Sequence, residues 1–209
     1  MSFWQELASW KTPTTGQIAD PPKVGAQAPN HPALALPTED KKPAIVIFLR
    51  HCGCPFAEKA YRDLNDHPAV QNGSVVGIAV SHSSKEATEA WQEALVTDQT
   101  QPLRRSEQNP IRLVVDEERE VYAAWGLGVS STWHILSPST IASVVSLGRS
   151  EGIWNRPTES GSRWQTAGDF AVDGEGVVSW AHVYQGAGDV GNTDEAVKAA
   201  LKEDGETEG

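Results

Sequence analysis

Two apolar runs frame the sequence: AIVIFL over residues 44–49 and VVGIAV over 75–80. Each is short, continuous and rich in β-branched residues, the pattern of a strand buried on both faces. The period then changes. PFAEKAYRDLNDH (55–67) places Phe56, Ala60 and Leu64 along one helical face, with proline in the first turn. SSKEATEAWQEALV (83–96) predicts a second helix, capped by Ser83 or Ser84 and acidic in its early turns. IRLVVD (111–116) predicts a third strand, and EEREVYAAWGLG (117–128) a helix ended by glycine. GDFAVDGEGVVSWAHVY (168–184) alternates about a Gly-Glu-Gly turn and predicts a β-hairpin. TDEAVKAALKE (193–203) closes with a helix; Thr193 is its expected N-cap, and Ala196 stands where a capping box would need Glu or Gln.

The rest of the chain is less regular. SFWQELASW (2–10) puts Phe3, Leu7 and Trp10 on one side of a short amphipathic helix. Residues 11–37 read as an irregular lead-in, and 98–110 as a polar loop. From 129 to 167 the pattern weakens, and this stretch holds three tryptophans and two prolines. It is expected to be a long, ordered loop, since tryptophans argue against disorder; they either wall a pocket for an apolar substrate or form a satellite core under the loop. Strands alternating with helices imply an α/β domain: a central mixed sheet with helices on both sides. The expected organisation is an N-terminal helix and lead-in over 1–23, one domain over 24–203, and an acidic disordered tail over 204–209.

Composition narrows the function classes. At 209 residues and 39% hydrophobic, the chain can bury a sizeable core. No apolar run is long enough to span a bilayer, and the N-terminus lacks the basic and apolar regions of a secretory signal. A cytoplasmic location is expected. The 17 Lys+Arg against 28 Asp+Glu give a net charge of -11, which repels nucleic acid and anionic membranes. Residues 41–63 run the other way. Lys41, Lys42, Arg50, Lys59 and Arg62 face only Glu58 and Asp63.

That basic segment holds both cysteines, in FLRHCGCPF (48–56). Two cysteines make no disulfide framework and no zinc site, and no metal is expected. Cys54 falls between a strand end and a helix start. Unpaired N–H groups and the helix dipole favour an anion there, with Arg50, His51, Lys59 and Arg62 near in sequence. The competing reading is a buried, inert thiol. Cys52 has three readings. It resolves an oxidised Cys54 through a small strained disulfide across Gly53, it packs in place of an aromatic residue, or it bonds to an external thiol. Arg50 either stabilises a thiolate or pairs with an acid at the strand end. His51 is either a base or a turn residue.

With these neighbours the chain resembles the thioredoxin fold. More narrowly, it resembles the alkyl hydroperoxide reductase/thiol-specific antioxidant group and its peroxiredoxin-like 2 branch. The resemblance rests on VGAQAPNHPALAL (24–36), PAIVIFLRHCGCPFAEKAYRDL (43–64), VVDEEREVYAAWGLG (114–128) and RWQTAGDFAVDGEGVVSWAHV (163–183). Members of that branch commonly carry FxRxxxCxxC. The first cysteine matches Cys54, while the second would fall at Ala57. The resemblance implies a thiol-dependent oxidoreductase. Cys54 would be the nucleophile that reduces a peroxide or endoperoxide, with Cys52, Arg50 and His51 as its catalytic neighbours. It implies no bound cofactor and an external thiol reductant, glutathione or thioredoxin. Residues expected to line the substrate are Pro55, Phe56, Thr166, Trp133, Trp154 and Trp164, with Arg149 or Arg163 as the later arginine such enzymes use. No proline stands near Thr166, where thioredoxin-fold proteins usually carry a cis-proline; this argues against thioredoxin-like handling of protein disulfides. A homodimer is among the expected assemblies. Two other functions remain open. One is a non-redox enzyme with a tryptophan-lined pocket for an apolar metabolite, and the other a non-catalytic binding or redox-sensing module.

Overall fold

The computed structural model describes residues 17–104, 110–129, 138–157, 160–186 and 188–202. Strand β1 (Ala44–Phe48) is central. It pairs in parallel with β2 (Val76–Ser81), which pairs in parallel with β3 (Arg112–Val115). On its other side β1 runs antiparallel to β4 (Gly168–Val172), and β4 forms the hairpin with β5 (Val178–Val183). The order β3-β2-β1-β4-β5 is a mixed five-stranded sheet. Every residue of β1 is buried, as its unbroken apolar run requires.

Alternate residues of β1 feed two cores. Ile45 and Ile47, with Leu49 just past the strand, pack in one core with helices α1 (Pro55–Asp66), α3 (Lys85–Val96), α5 (Pro138–Glu151) and α6 (Thr193–Ala200). Ala44, Val46 and Phe48 face the lead-in residue Leu34 and helix α4 (Glu120–Ala124). On that second side Phe48 meets Tyr122, Trp125 and Phe170 at ring separations of 5.0, 5.4 and 5.8 Å. Both faces of the sheet are therefore covered, as expected for a thioredoxin-like α/β fold.

Several local expectations need correction. The stretch expected to be a loop contains α5, whose Leu147 and Val144 join the first core. The helix expected over 117–128 has shrunk to α4, because the Asp116 carboxylate draws the chain into a turn. It accepts from the Glu120 and Tyr122 N–H groups, each at 3.0 Å. Helix α6 is capped by Asn192, whose side chain accepts from the Glu195 N–H, rather than by Thr193. A four-residue helix, α2 (Pro68–Gln71), follows α1. Of the two candidate caps for α3, Ser84 does the work. The lead-in packs on the domain, with the Ala19 N–H bonded to the Ala123 carbonyl at 3.0 Å. The amphipathic helix expected over 2–10 and the tail over 204–209 lie outside the described residues.

Candidate active site

The site forms where β1 and β2 end side by side. Leu49 donates its N–H to the Val80 carbonyl at 2.9 Å. The Tyr122 hydroxyl, reaching across from α4, lies 2.5 Å from the Leu49 oxygen and 2.8 Å from that of Val80. Beyond this clamp the chain turns sharply, with the Cys54 N–H bonded to the His51 carbonyl at 3.1 Å. Gly53 makes the turn at φ 114°, a conformation L side chains rarely adopt. Cys54 is the N-cap of α1, extended at φ -74° and ψ 127°, with Pro55 at the first helical position. No side chain caps this helix end.

The two thiols are free and buried, but they stand in different surroundings. Cys54 occupies the helix start. The Cys52 sulfur lies 3.6 Å from the Ser81 hydroxyl and 3.8 Å from that of Thr88, and these two hydroxyls are 2.8 Å apart. The Cys52 N–H reaches the Ser83 hydroxyl at 3.4 Å. Burial pushes the Cys52 thiol above its ordinary pKa, and the three hydroxyls only partly offset this.

Arg50 is buried and donates to the Arg163 carbonyl at 3.1 Å. His51 is also buried, with Nδ1 3.4 Å from the Cys52 carbonyl. Burial, reinforced by the positive charges of Arg50 and Arg163, holds His51 well below its ordinary pKa, so the ring is neutral. Of the two later arginines, Arg163 is thus the one brought to this end of the sheet. Arg149 is exposed on the last turn of α5. Phe56 is buried on α1, close to Ser143 of α5 across Gly188. Thr166 is tied to the Gly128 carbonyl by both its N–H and its hydroxyl, each at 2.9 Å, and the peptide ahead of β4 is not cis.

The expected tryptophan wall does not assemble in one place. Trp154 is half exposed and lies on Gly148 of α5, where any added Cβ would come within 2.5 Å of its ring. Trp164 is buried next to Arg163 in the chain, its N–H held by the Ser162 hydroxyl at 3.3 Å. Trp133 lies outside the described residues.

Two residues at the site had no sequence signal. Glu58, one turn into α1, is buried and receives two arginines. Arg62 approaches to 2.8 Å, and Arg156 binds through Nε at 2.7 Å and through its terminal nitrogen at 3.2 Å. Arg156 also binds Asp98 at 2.5 Å, and its own N–H donates to the Gly53 carbonyl at 3.0 Å. The described residues contain no His/Cys/Asp/Glu group that could hold a metal. None of their helices is long and apolar enough to cross a membrane.

A thiol at the junction of a central strand and the next helix, on a β3-β2-β1-β4-β5 sheet, defines the class: a thioredoxin-like fold with a cysteine at the start of the helix that follows its central strand. A family model described as AhpC/TSA antioxidant enzyme matches residues 61–186, and the chain belongs to that family. The match opens on α1, after both cysteines. A thiol peroxidase from Chromobacterium violaceum is similar in structure, with a TM-score of 0.50 and 16% identity over 88% of this chain and 89% of that one. A peroxiredoxin-like protein from Aquifex aeolicus has a TM-score of 0.53 and 15% identity over 88% and 90%. AhpC from Mycobacterium tuberculosis has 0.50 and 16% over 86% and 92%. At these identities the likeness shows the fold. Among curated proteins, none matches the chain.

Proposed function

We propose that the chain is a thiol-dependent peroxidase with Cys54 as its nucleophile. The observation that carries this reading is the placement of Cys54 as N-cap of α1, with no side chain capping the helix end. The first-turn N–H groups are thus available to a thiolate and to the charge that develops on a bound peroxide. Cys54 Sγ attacks the distal oxygen of ROOH as the O–O bond breaks. The sulfur becomes a sulfenic acid, and RO⁻ takes up a proton and leaves as ROH. The proton that RO⁻ takes up is the one the Cys54 thiol released on forming its thiolate, exchanged through solvent, since buried His51 is held neutral; Arg50 keeps positive charge beside the loop.

The sulfenic acid is returned to the thiol by an outside thiol such as glutathione or thioredoxin. Cys52 is the less favoured partner, for two reasons. Its sulfur is engaged with Ser81 and Thr88, and burial keeps it protonated, while only a thiolate attacks. A reducing compartment such as the cytoplasm would supply that thiol. No bound cofactor is required.

The test is intact mass after one equivalent of hydrogen peroxide on the reduced protein. Wild type and Cys52→Ser should each gain one oxygen, and Cys54→Ser none. Oxygen gained at an unchanged rate by Cys54→Ser would overturn the assignment of the nucleophile. Loss of two hydrogens by wild type alone would replace the outside thiol with a Cys52–Cys54 cycle.

A further inference from the structure

Asp169 of β4 pairs with Ile47 of β1 and shares a sheet face with Ala171. Its carboxyl is therefore buried on the side of the sheet that carries α1 and α6. Oδ2 accepts from the Tyr184 hydroxyl at 2.7 Å and from the Gly191 N–H at 3.1 Å. These donors stand near the two ends of the connection from β5 to α6, so one carboxyl pins both ends. Between them Asp189 accepts from the Gln185 N–H at 2.8 Å and pairs with His182 of β5 at 2.8 Å, which folds the connection back on itself.

The middle of the connection rests beside the thiol's helix. A Cβ added at Gly188 would come within 3.0 Å of Ser143 on α5 and 3.4 Å of the Phe56 ring. Phe56 lies in the first turn of α1, two residues after Cys54. Cys54 is only 4% exposed, so a reagent reaches its sulfur when a neighbour of the helix start moves.

We propose that Asp169 is a positioning residue for Cys54: while protonated, its carboxyl latches residues 184–186 and 188–191 against Phe56, and its ionisation releases them and uncovers the thiol. The surroundings explain why charge would open the latch. Oδ1 has no partner among the described residues. His182 and Asp189, the charged groups that face Asp169 from β5 and the connection, are paired with each other. β1 is wholly apolar, and Asp194, Glu195 and Lys198 of α6 are exposed. A carboxylate here is thus a buried charge with no cation of its own, and lifting the connection lets water reach it. Burial accordingly raises the Asp169 pKa from 3.8 to about 7. The latched form binds the proton more tightly than the lifted one. Lifting therefore becomes easier as pH rises from about 4 to about 7, then levels off. An effect on peroxide reduction rests on the peroxidase reading above; the effect on access to Cys54 does not.

The experiment is alkylation by iodoacetamide, followed at each cysteine by fragment mass between pH 5 and 7.5. Asp169→Asn keeps an acceptor for both donors and cannot ionise. The wild-type Cys54 rate divided by that of Asp169→Asn cancels the thiol's own ionisation, and it should climb about tenfold or more over this range. The same ratio at Cys52, which Ser81 and Thr88 hold apart from the connection, should stay flat. At pH 5, Gly188→Ala should alkylate several-fold faster at Cys54, because its methyl group forces the connection off Phe56 with the carboxyl still protonated. Should Asp169→Asn fail to fold, Tyr184→Phe takes its place: loss of a donor to the carboxylate should extend the rise to higher pH. A Cys54 ratio constant across the range, an equal climb at Cys52, or a wild-type rate in Gly188→Ala would each overturn the proposal. Alkylation consumes no peroxide, so its outcome stands whether or not Cys54 proves to reduce one.

Discussion

Arg156 holds Gly53. Its N–H donates to the Gly53 carbonyl at 3.0 Å, while its guanidinium grips the Glu58 carboxylate one turn into α1. One residue thereby fixes both sides of Cys54, the glycine before it and the helix after it. Arg156→Ala leaves the buried Glu58 with Arg62 as its remaining charged partner. We expect a loss of about 2–3 kcal/mol in urea unfolding, below the range for leaving a buried charge wholly unpaired. Alkylation of Cys54 by iodoacetamide should also accelerate. Unchanged unfolding and unchanged alkylation would show that the contact does not position the loop.

The Tyr122 hydroxyl spans the ends of β1 and β2 and touches nothing that reacts. Tyr122→Phe keeps the ring packing against Phe48 but removes the hydroxyl donor beside the Leu49 carbonyl, while the Val80 carbonyl keeps the Leu49 N–H. The expected cost is about 1–3 kcal/mol of stability. Because both strand ends lead into the site, peroxide reactivity should drop along with it. Full retention of stability would mean that water replaces the hydroxyl.

His82 is buried against Tyr122, with Nε2 accepting from the Ser162 N–H at 2.9 Å, and burial lowers its pKa from 6.5 to about 3. The unfolded chain therefore binds a proton between these values that the folded chain refuses. The stabilisation from keeping the ring neutral is complete above the unfolded value and is lost as pH falls from about 6.5 toward 3. His51 acts in the same direction. In His82→Gln, stability measured by urea between pH 6.5 and 4 should fall less steeply than in wild type. Parallel curves would remove His82 from the acid response.

Asp169 behaves oppositely. It is buried beneath the Tyr184 hydroxyl and the Gly191 N–H, one of its oxygens has no partner among the described residues, and burial raises its pKa from 3.8 to about 7. Here the folded chain keeps a proton that the unfolded chain releases. Its contribution therefore falls as pH rises from about 4 to about 7, then levels off. Asp169→Asn retains an acceptor for both donors and cannot ionise. Relative to wild type it should gain stability on going from pH 5 to 7.5, by up to a few kcal/mol. A constant difference between the two proteins across that range would contradict this assignment.

The fold was legible where burial is two-sided or alternates regularly. AIVIFL, VVGIAV and the 168–184 hairpin each announce their strand because one pattern satisfies one environment. Helix α5 was not legible. Its sequence PSTIASVVSLGRSE mixes serine and β-branched residues and carries Gly148 near its end. Each lowers helix propensity, and tertiary packing of Leu147 and Trp154 overrides them. Cys54 could be placed because a strand end followed by proline is a local signal. The surroundings of Cys52 could not, since Ser81 and Thr88 come from another strand and helix. Nor could Glu58–Arg156, whose partners are 98 residues apart. Choosing Arg163 over Arg149 likewise required knowing which one the fold returns to Arg50.

The tie between Gly53 and Arg156 also bears on how the protein is made. The two thiols emerge in the first third of the chain, and the segment that closes over their loop arrives far later. Contacts of such long sequence separation form late in folding. A growing or refolding chain thus presents both cysteines uncovered until residues 152–157 dock. During that interval Cys52, which the finished molecule holds buried against Ser81 and Thr88, is open to oxidants and to disulfide interchange.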